Sequence, residues 1–326
     1  MSWFVFTLVC VLGWGLADLF YKKGSTEEDP RSHLKIAVWV GLVMGVCAFA
    51  LLPLSESRMG AAELVTNAVR YAPASLSYIV SMVIGYAGLR YLELSIVSPV
   101  QNASGALSAL VMTVWFTVSG RFTDLREEFG PLDLGGTFLI VLGVILLAVT
   151  EQRLAATPEA PAGTPAAAED RRYRTGALAL LFPLLYCLFD TLGTAADGII
   201  LDEQTGLGLG ELDVIVLYGL TFFLAGLGAW IFLWIRGKKP YNPFARTELP
   251  KAGAALCEEF GQVFYVFAMA RNPVLAAPAV ASYCIVSVLL SRLILKEKLT
   301  KGQTVCVLLV ICGIVLLGVS EGLAEG

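Results

Sequence analysis

Long apolar segments alternate with short polar segments along the whole chain. Ten of the apolar segments approach the roughly 20 residues that a helix needs to cross a bilayer. The predicted spans are residues 3–21, 34–54, 73–89, 94–118, 134–149, 177–200, 214–235, 252–270, 274–295 and 304–319. Residues 151–175 are charged and rich in Ala and Pro, which predicts a flexible linker that separates the spans into five and five.

The composition predicts an all-α integral membrane protein. Of the 326 residues, 57% are hydrophobic and only 15% are charged, and the mean hydropathy is +0.74. Soluble domains have about 25% charged residues, so this chain is expected to lie in a lipid bilayer. The net charge of −4 argues against nucleic-acid binding. The seven cysteines lie in apolar segments without C-x-x-C spacing, so we expect neither disulfides nor a zinc site, and no cofactor.

The basic residues predict how the chain is oriented in the membrane. With ten spans, 18 of the 23 lysines and arginines fall at the odd-numbered loops. Because basic loops remain in the cytoplasm, the 151–175 linker is predicted to be cytoplasmic and both termini to be outside. The expected location is the cell membrane, as a multi-pass protein.

The two halves of the chain resemble each other. Residues 143–151 read GVILLAVTE and residues 313–321 read GIVLLGVSE, with five of nine positions identical. Single residues recur at an offset of 179 positions: Pro99 with Pro278, Tyr86 with Tyr265, and Ser108 with Ser287. Because five spans are an odd number, residues 1–150 and 176–326 are predicted to form two inverted repeats around a central cavity. The alternative is that apolar helices resemble one another by composition alone.

These features together resemble the EamA type of the drug/metabolite transporter superfamily. The resemblance lies in the two five-helix repeats, Trp14-Gly in the first span, a proline early in the fourth and ninth spans, and the closing LILKEKLTKGQ…GIVLLG. It implies ten helices around a central cavity and movement of small organic metabolites by alternating access. One departure is Lys296, which stands before Glu297 where the family usually has Gly.

Acidic residues within the predicted spans are the sharpest candidates for function. A charge at the bilayer centre costs on the order of 3 kcal/mol or more, so it persists mainly at a cavity, an ion path or a partner. Asp18 and Asp190 align in the repeat, as do Trp14 and Tyr186, and inverted halves would place the two acids symmetrically about the midplane. An acid pair without a basic partner fits a proton relay or a cationic substrate. Alternatively, each acid is hydrogen-bonded to a helix backbone and stays protonated.

Three further acids lie in the spans. Asp197 is interpreted as an interfacial residue. Adjacent helical positions point about 100° apart, so only one of Glu258 and Glu259 is expected at the cavity. We favour Glu258, because it forms a polar stripe with Gln262 and Tyr265. The alternative is a glutamate pair near the cytoplasmic interface.

Neutral polar residues, aromatic residues, prolines and glycines within the spans are further candidates. Asn102, Ser282 and Tyr283 either bind substrate or hydrogen-bond between helices. Trp14, Tyr186, Tyr265 and Tyr283 are interpreted as an aromatic wall beside the acids or as ordinary packing. Pro99 and Pro278 each remove a backbone hydrogen bond, which predicts bending at two gates. The spacing Gly41-x-x-x-Gly45 predicts close helix packing.

The sequence therefore predicts a secondary active transporter of a small polar organic metabolite. The acids are compatible with a cationic substrate and with coupling to protons through Asp18, Asp190 and Glu258. We expect no enzymatic activity and no metal site. Two alternatives are an intramembrane aspartyl hydrolase that uses Asp18 and Asp190, and a lipid-carrier flippase. The expected partners are the substrate, protons and the lipid bilayer, with the protein as a monomer or a homodimer.

Overall fold

The computed structural model of the chain describes residues 2–25, 29–55, 59–89, 94–155, 181–237, 241–295 and 300–325. These residues form helices and no strand. The α-helices are α1 Trp3–Gly24, α2 Ser32–Leu51, α3 Ala61–Gly88, α4 Leu94–Asn102, α5 Ser104–Val118, α6 Leu125–Glu128, α7 Pro131–Ala155, α8 Leu181–Leu201, α9 Glu211–Gly237, α10 Leu249–Arg271, α11 Pro273–Ala281, α12 Tyr283–Leu295 and α13 Lys301–Glu325.

Seven helical segments among the described residues are long and apolar enough to cross a membrane. They are Trp3–Gly24, Ser32–Leu54, Pro131–Thr150, Leu181–Leu201, Glu211–Gly237, Pro273–Leu290 and Lys301–Ala324. These seven correspond to seven of the ten predicted spans. The other three predicted spans, at 73–89, 94–118 and 252–270, are largely helical but do not belong to this group. Polar residues reduce the mean hydropathy of α3 and α10, and the 94–118 region is divided into two shorter helices.

Two helices extend beyond the segments predicted from hydropathy. Helix α3 begins at Ala61 rather than at Pro73, which lies inside the helix. An internal proline removes one backbone hydrogen bond, but here the helix continues through it. Helix α7 extends to Ala155, so the first residues of the predicted 151–175 linker are helical. Residues 156–175 of that linker lie outside the described residues.

Two helices are interrupted at matching positions in the sequence. The α4–α5 segment breaks at Ala103 and the α11–α12 segment breaks at Ser282, 179 positions later. At each break the backbone N–H reaches back only three residues, from Ala103 to the Val100 carbonyl (3.4 Å) and from Ser282 to the Ala279 carbonyl (3.2 Å). Each break lies four residues after a predicted hinge proline. The disturbance therefore falls about one helical turn beyond the proline.

The main helix contacts join residues before 156 with residues after 180. Helix α1 packs along α10, α2 along α9, α3 along α8, α7 along α13, and α5 against α11. Each of these pairs contains one helix from each side of the predicted linker. The two parts of the chain therefore share one common interior.

Helices α2 and α9 approach each other through glycines, as the Gly41-x-x-x-Gly45 spacing predicts. A Cβ added to Gly41 would lie 2.5 Å from the Phe222 carbonyl oxygen and 2.8 Å from the Gly226 Cα. Both contacts are with backbone, which cannot rotate away as a side chain can. The close approach therefore requires glycine at position 41.

We expect Gly41→Ala to destabilise the protein by about 1–3 kcal/mol, because the added methyl group overpacks the α2–α9 contact. Gly228→Ala on α9 is the matched control, since a Cβ there meets no atom within 4 Å. Thermal unfolding of the two purified variants in one detergent checks this. Equal melting temperatures for both variants would contradict the packing argument.

Candidate functional site

A central cavity lies between the helices and contains almost all of the predicted site residues. About 770 Å³ between its walls is free of atoms, including space open to solvent. Nine of the ten predicted substrate or proton residues line it: Trp14, Asp18, Asn102, Tyr186, Asp190, Glu258, Gln262, Tyr265 and Tyr283. Residues that were not predicted from the sequence to belong to the site also line it, among them Tyr21, Tyr78, Tyr86, Thr194 and Tyr218.

Asp18 is held by serines from both interrupted helices. Its Oδ2 accepts hydrogen bonds from the Ser98 hydroxyl on α4 and from the Ser287 hydroxyl on α12, each at 2.7 Å. Hydrogen bonds from neutral donors can stabilise a carboxylate without a nearby cation. The two broken segments therefore meet at this one side chain.

Asp190 accepts a hydrogen bond from the helix that follows the first break. Its Oδ2 accepts a hydrogen bond from the Ser104 hydroxyl at 2.6 Å. Ser104 is the first residue of α5, directly after the interruption at Ala103. Both acids of the aligned pair thus take their hydrogen bonds from residues close to the helix breaks.

Aromatic rings form one wall of the cavity around Trp14. The Trp14 ring stacks on Tyr265, with centroids 5.1 Å apart, and meets the Tyr283 ring edge-on at 5.6 Å. The indole Nε1 donates a hydrogen bond to the backbone oxygen of Glu258 at 3.2 Å. The ring is therefore fixed from two sides while it faces the cavity.

Two pairs of tyrosine hydroxyls lie at different levels of the cavity. Tyr86 donates to Tyr21 at 3.1 Å, near the C-terminal ends of α3 and α1. The hydroxyl of Tyr78 contacts that of Tyr265, and it also lies 3.1 Å from the Thr194 hydroxyl. The second cluster joins α3, α8 and α10. Both pairs contact the cavity, so movement of either one would change its shape.

The two adjacent glutamates point in different directions. Glu258 lines the cavity, whereas Glu259 does not and lies beside Cys47 on α2. This placement agrees with the expectation that only one of them faces the cavity. The two side chains are nonetheless buried to the same degree, each 8% exposed. They form a matched pair in which only direction differs.

Two amide side chains present unused hydrogen-bonding groups to the cavity. Both polar atoms of Gln262 and the Nε2 atom of Gln101 are buried without a hydrogen-bond partner among the described residues. A buried polar group without a partner costs about 1–3 kcal/mol. Amides that line a cavity in this state are available to a ligand or to water.

No lysine or arginine is found among the described residues that line the cavity. Three basic side chains have partners elsewhere: Lys22 donates to the Leu89 carbonyl (2.9 Å), Arg121 pairs with Asp202 (3.2 Å) and Arg271 pairs with Glu211 (3.2 Å). Among the described lining residues, the acids therefore have no cationic neighbour.

One predicted site residue is placed elsewhere, and one of the two hinge prolines is only partly described. Ser282 is buried and donates its hydroxyl to the Ala279 carbonyl at 2.6 Å, so it serves the helix break rather than the cavity wall. Pro278 is buried, and a Cβ on Gly105 of α5 would lie 3.2 Å from its Cα. Pro99 lies within α4, but its side chain is outside the described residues.

Asp197 is buried within the protein and has a partner that the sequence did not indicate. It is 0% exposed, and its Oδ1 accepts a hydrogen bond from the Tyr71 hydroxyl at 2.8 Å. The sequence signal was its position seven residues after Asp190, which places both acids on similar faces of α8.

Within the described residues, no group of three His, Cys, Asp or Glu side chains could hold a metal ion.

Comparison with known proteins identifies the family that the second half resembles. Residues 204–319 match the model of the EamA-like transporter family. The EamA-like region runs from the end of α8 into α13 and includes Glu258, Gln262 and Tyr265. The match confirms the resemblance predicted from the sequence, and the EamA-like family indicates a membrane transporter in general.

The fold of the whole chain is also known from a solved structure. A protein of known crystal structure superposes with a TM-score of 0.64, covering 99% of each chain, at 13% sequence identity. At that identity the likeness shows the fold alone. Curated proteins give no match to this chain.

We expect Gln262→Met to raise thermal stability, because the substitution removes two buried polar atoms that have no partner. Gln303→Met is the matched control. Gln303 is 1% exposed, but its Oε1 accepts the Thr300 N–H at 2.7 Å, so its loss should lower stability. Melting curves of the two variants in detergent check the difference. A Gln262 variant as unstable as the Gln303 variant would show that the amide of Gln262 is already satisfied.

Proposed function

We propose that this protein is a secondary active transporter that moves a small polar organic cation across the membrane by alternating access, in exchange for protons. The observation that carries the proposal is the composition of the cavity wall. Asp18, Asp190 and Glu258 face a space in which the described lining residues include no basic side chain. A cation entering this space would neutralise charge that the protein leaves uncompensated.

The aromatic wall supports an organic rather than an inorganic cation. Ring faces attract a positive charge within about 6 Å of the ring centroid, and the attraction is stronger when water is excluded. Trp14 and Tyr265 stack beside Glu258, and Tyr283 lies at the edge of the indole. The unpartnered amide of Gln262 adds neutral hydrogen-bonding groups. Such a wall fits an ammonium group that carries carbon substituents.

Coupling to protons follows from competition for the same carboxylates. A carboxyl group that holds a proton is neutral and no longer attracts a cation, whereas an ionised one attracts it. Asp18, Asp190 and Glu258 would therefore release protons when substrate binds and regain them when it leaves. The serine donors of Asp18 and Asp190 can serve either state, because a hydroxyl both donates and accepts.

The architecture that we propose is ten membrane crossings in two inverted repeats, residues 1–150 and 176–326. Two observations support it: the helix contacts that join the two parts of the chain, and the breaks at Ala103 and Ser282 at the same 179-residue offset as the recurring prolines. Helices α3 and α10 would then cross the membrane despite their polar residues. Their polar side chains include the cavity groups Tyr78, Glu258 and Gln262.

Gating is proposed at Pro99 and Pro278. The proline at each position removes a backbone hydrogen bond one turn before a break, so the half-helices can tilt at low cost. Tilting of α4 or α12 would move Ser98 or Ser287 away from Asp18. We expect Pro278→Ala to slow exchange by stiffening α11–α12.

The alternatives have weaker support. An aspartyl hydrolase needs two carboxyl groups that share a proton, whereas Asp18 and Asp190 each bind their own serines. A lipid-carrier flippase needs a lateral opening for its lipid tail, which neither the cavity wall nor the family match indicates. We therefore propose transport without catalysis.

Transport by purified protein in proteoliposomes tests the function. We expect counterflow of at least one cation from a panel of choline, a cationic amino acid, a neutral amino acid and a sugar. Asp18→Asn and Asp190→Asn should each reduce counterflow by tenfold or more, because each removes a charge that binds the cation. The absence of counterflow for every panel solute in the wild type would refute the proposal.

The adjacent glutamates provide the sharpest control for the site. We expect Glu258→Gln to reduce counterflow by tenfold or more and Glu259→Gln to leave it within about twofold, since a loss of about 1.4 kcal/mol in binding is tenfold in affinity. Both variants remove one buried carboxylate from the same helical turn. Equal effects of the two substitutions would mean that the cavity direction of Glu258 is unimportant for transport.

We further propose that the protein lies in the cell membrane with both termini outside and residues 151–175 in the cytoplasm. The support is the distribution of lysines and arginines over the loops. A protease site inserted within residues 156–175 should be cleaved in inverted membrane vesicles and protected in intact cells. The opposite protection pattern would reverse the orientation.

A further inference from the structure

Asp197 on α8 is a buried carboxyl group that the cavity does not use. It is 0% exposed and lies seven residues after Asp190, about two turns along the same helix. Unlike Asp190, it does not line the cavity. Its role therefore needs an explanation separate from binding the substrate.

Tyrosine hydroxyls lie around the carboxyl group of Asp197, and no described residue gives it a cationic partner. The Tyr71 hydroxyl donates to Oδ1 at 2.8 Å, and Oδ2 accepts no hydrogen bond from the described residues although Tyr265 lies beside it. The titratable groups that face it are Tyr71 and Tyr78 from α3, Tyr218 from α9, Tyr265 from α10, and Asp190 from α8 itself. The neighbouring helices α5 and α11 contain no ionisable side chain.

Asp202, a few residues farther along the chain, shows the contrasting arrangement. Asp202 pairs with Arg121 at 3.2 Å and accepts two hydrogen bonds from Thr205. Burial raises the pKa of Asp202, but these bonds and the guanidinium hold it below its ordinary value. Asp202 is thus built to stay ionised, whereas the surroundings of Asp197 do not compensate a permanent negative charge.

A hydroxyl cluster separates Asp197 from the cavity. Tyr78 and Tyr265 are joined through their hydroxyls, and Tyr78 also bonds to Thr194, one turn before Asp197 on α8. These three side chains line the cavity, and Tyr265 also lies beside the Asp197 carboxyl group. Separation of α3 from α10 would break the Tyr78–Tyr265 contact and connect Asp197 to water.

We propose that Asp197 is a proton-binding site distinct from the substrate cavity, which exchanges its proton with water only when the Tyr78–Tyr265 hydroxyl pair is open. This proposal rests on the proposed transport function. One proton moves from water on one side of the membrane through the cavity to a carboxylate oxygen of Asp197, and it later returns through the cavity to water on the other side, while no bond in the substrate changes. Asp197 would thereby contribute one proton to each transport cycle beyond those that compete with substrate.

The test separates exchange from proton-driven accumulation. Proteoliposomes hold wild type, Asp197→Asn, Asp190→Asn or Glu259→Gln, with the membrane potential clamped and a pH gradient of one unit. The probe is the panel cation with the highest counterflow. Because one pH unit corresponds to about 1.4 kcal/mol per proton, each coupled proton supports about a tenfold concentration ratio.

We expect Asp197→Asn to keep counterflow within about twofold of wild type and to lower the accumulation ratio about tenfold. Asp190→Asn should lose counterflow itself, and Glu259→Gln should retain both activities. Unchanged accumulation by Asp197→Asn, or loss of its counterflow with an unchanged melting temperature, would overturn the proposal. Absence of pH-driven accumulation in a wild type that shows counterflow would overturn it as well.

Proton binding by Asp197 can also be measured without transport. Potentiometric titration of purified wild type and Asp197→Asn should differ by one proton within the pH range of transport, and identical curves would overturn the proposal even if no solute is transported. If Asp197→Asn does not fold, Tyr71→Phe retains the carboxyl group and removes its donor. It should keep counterflow and raise the pH of half-maximal accumulation by about one to two units, because loss of the hydrogen-bond donor destabilises the ionised carboxylate. An unchanged profile would count against Asp197.

Discussion

Carboxyl groups enclosed by apolar helices are the feature on which the rest of this structure depends. A charge in a low-dielectric interior is stable only with a counter-charge or with several hydrogen-bond donors. The described residues that line the cavity include no lysine or arginine, so hydroxyl groups act as the hydrogen-bond donors to the buried acids. Asp18 and Asp190 take theirs from serines, and Asp197 takes its from Tyr71.

The helix breaks and the acids are parts of the same arrangement. Ser98 precedes the break at Ala103 and Ser104 follows it, so one interrupted segment supplies donors to both Asp18 and Asp190. Ser287, beyond the second break, supplies the other donor to Asp18. Any tilt of a half-helix therefore changes how well a carboxylate is solvated. Conversely, a change in the charge of a carboxylate changes which tilt is most stable.

The parts of this structure that could be predicted from sequence are those with strong, local signals. Seven of the predicted spans are long apolar helices, and acids within apolar segments are costly enough to mark the cavity residues Asp18, Asp190 and Glu258. The 100° separation of adjacent helical positions indicated that only one of the two glutamates faces the cavity, and the polar stripe with Gln262 and Tyr265 favoured Glu258, which lines it.

The parts that could not be predicted depend on contacts between distant segments. Helix α3 begins before Pro73 because packing along α8 outweighs one lost hydrogen bond. Tyr78 and Tyr86 resemble ordinary core aromatics in sequence, and only the fold brings their hydroxyls to the cavity. Asp197 was interpreted as interfacial because it lies near the end of its predicted span, and its burial within the protein depends on the helices that pack around α8. Its tyrosine partner comes from a different helix, 126 positions earlier.

Tyrosines that correspond in the two halves of the chain have different partners at the cavity. Tyr86 and Tyr265 correspond at the 179-residue offset, yet Tyr86 pairs with Tyr21 on α1 and Tyr265 pairs with Tyr78 on α3. In the first helix of each half the offset is 172 residues, as for Asp18 and Asp190. At that offset Tyr21 aligns with Gly193, which has no side chain to supply a hydroxyl. Tyr265 must therefore find its partner on the opposite half of the chain. The two levels of the cavity are therefore held by different contacts, one within the first half of the chain and one between the two halves.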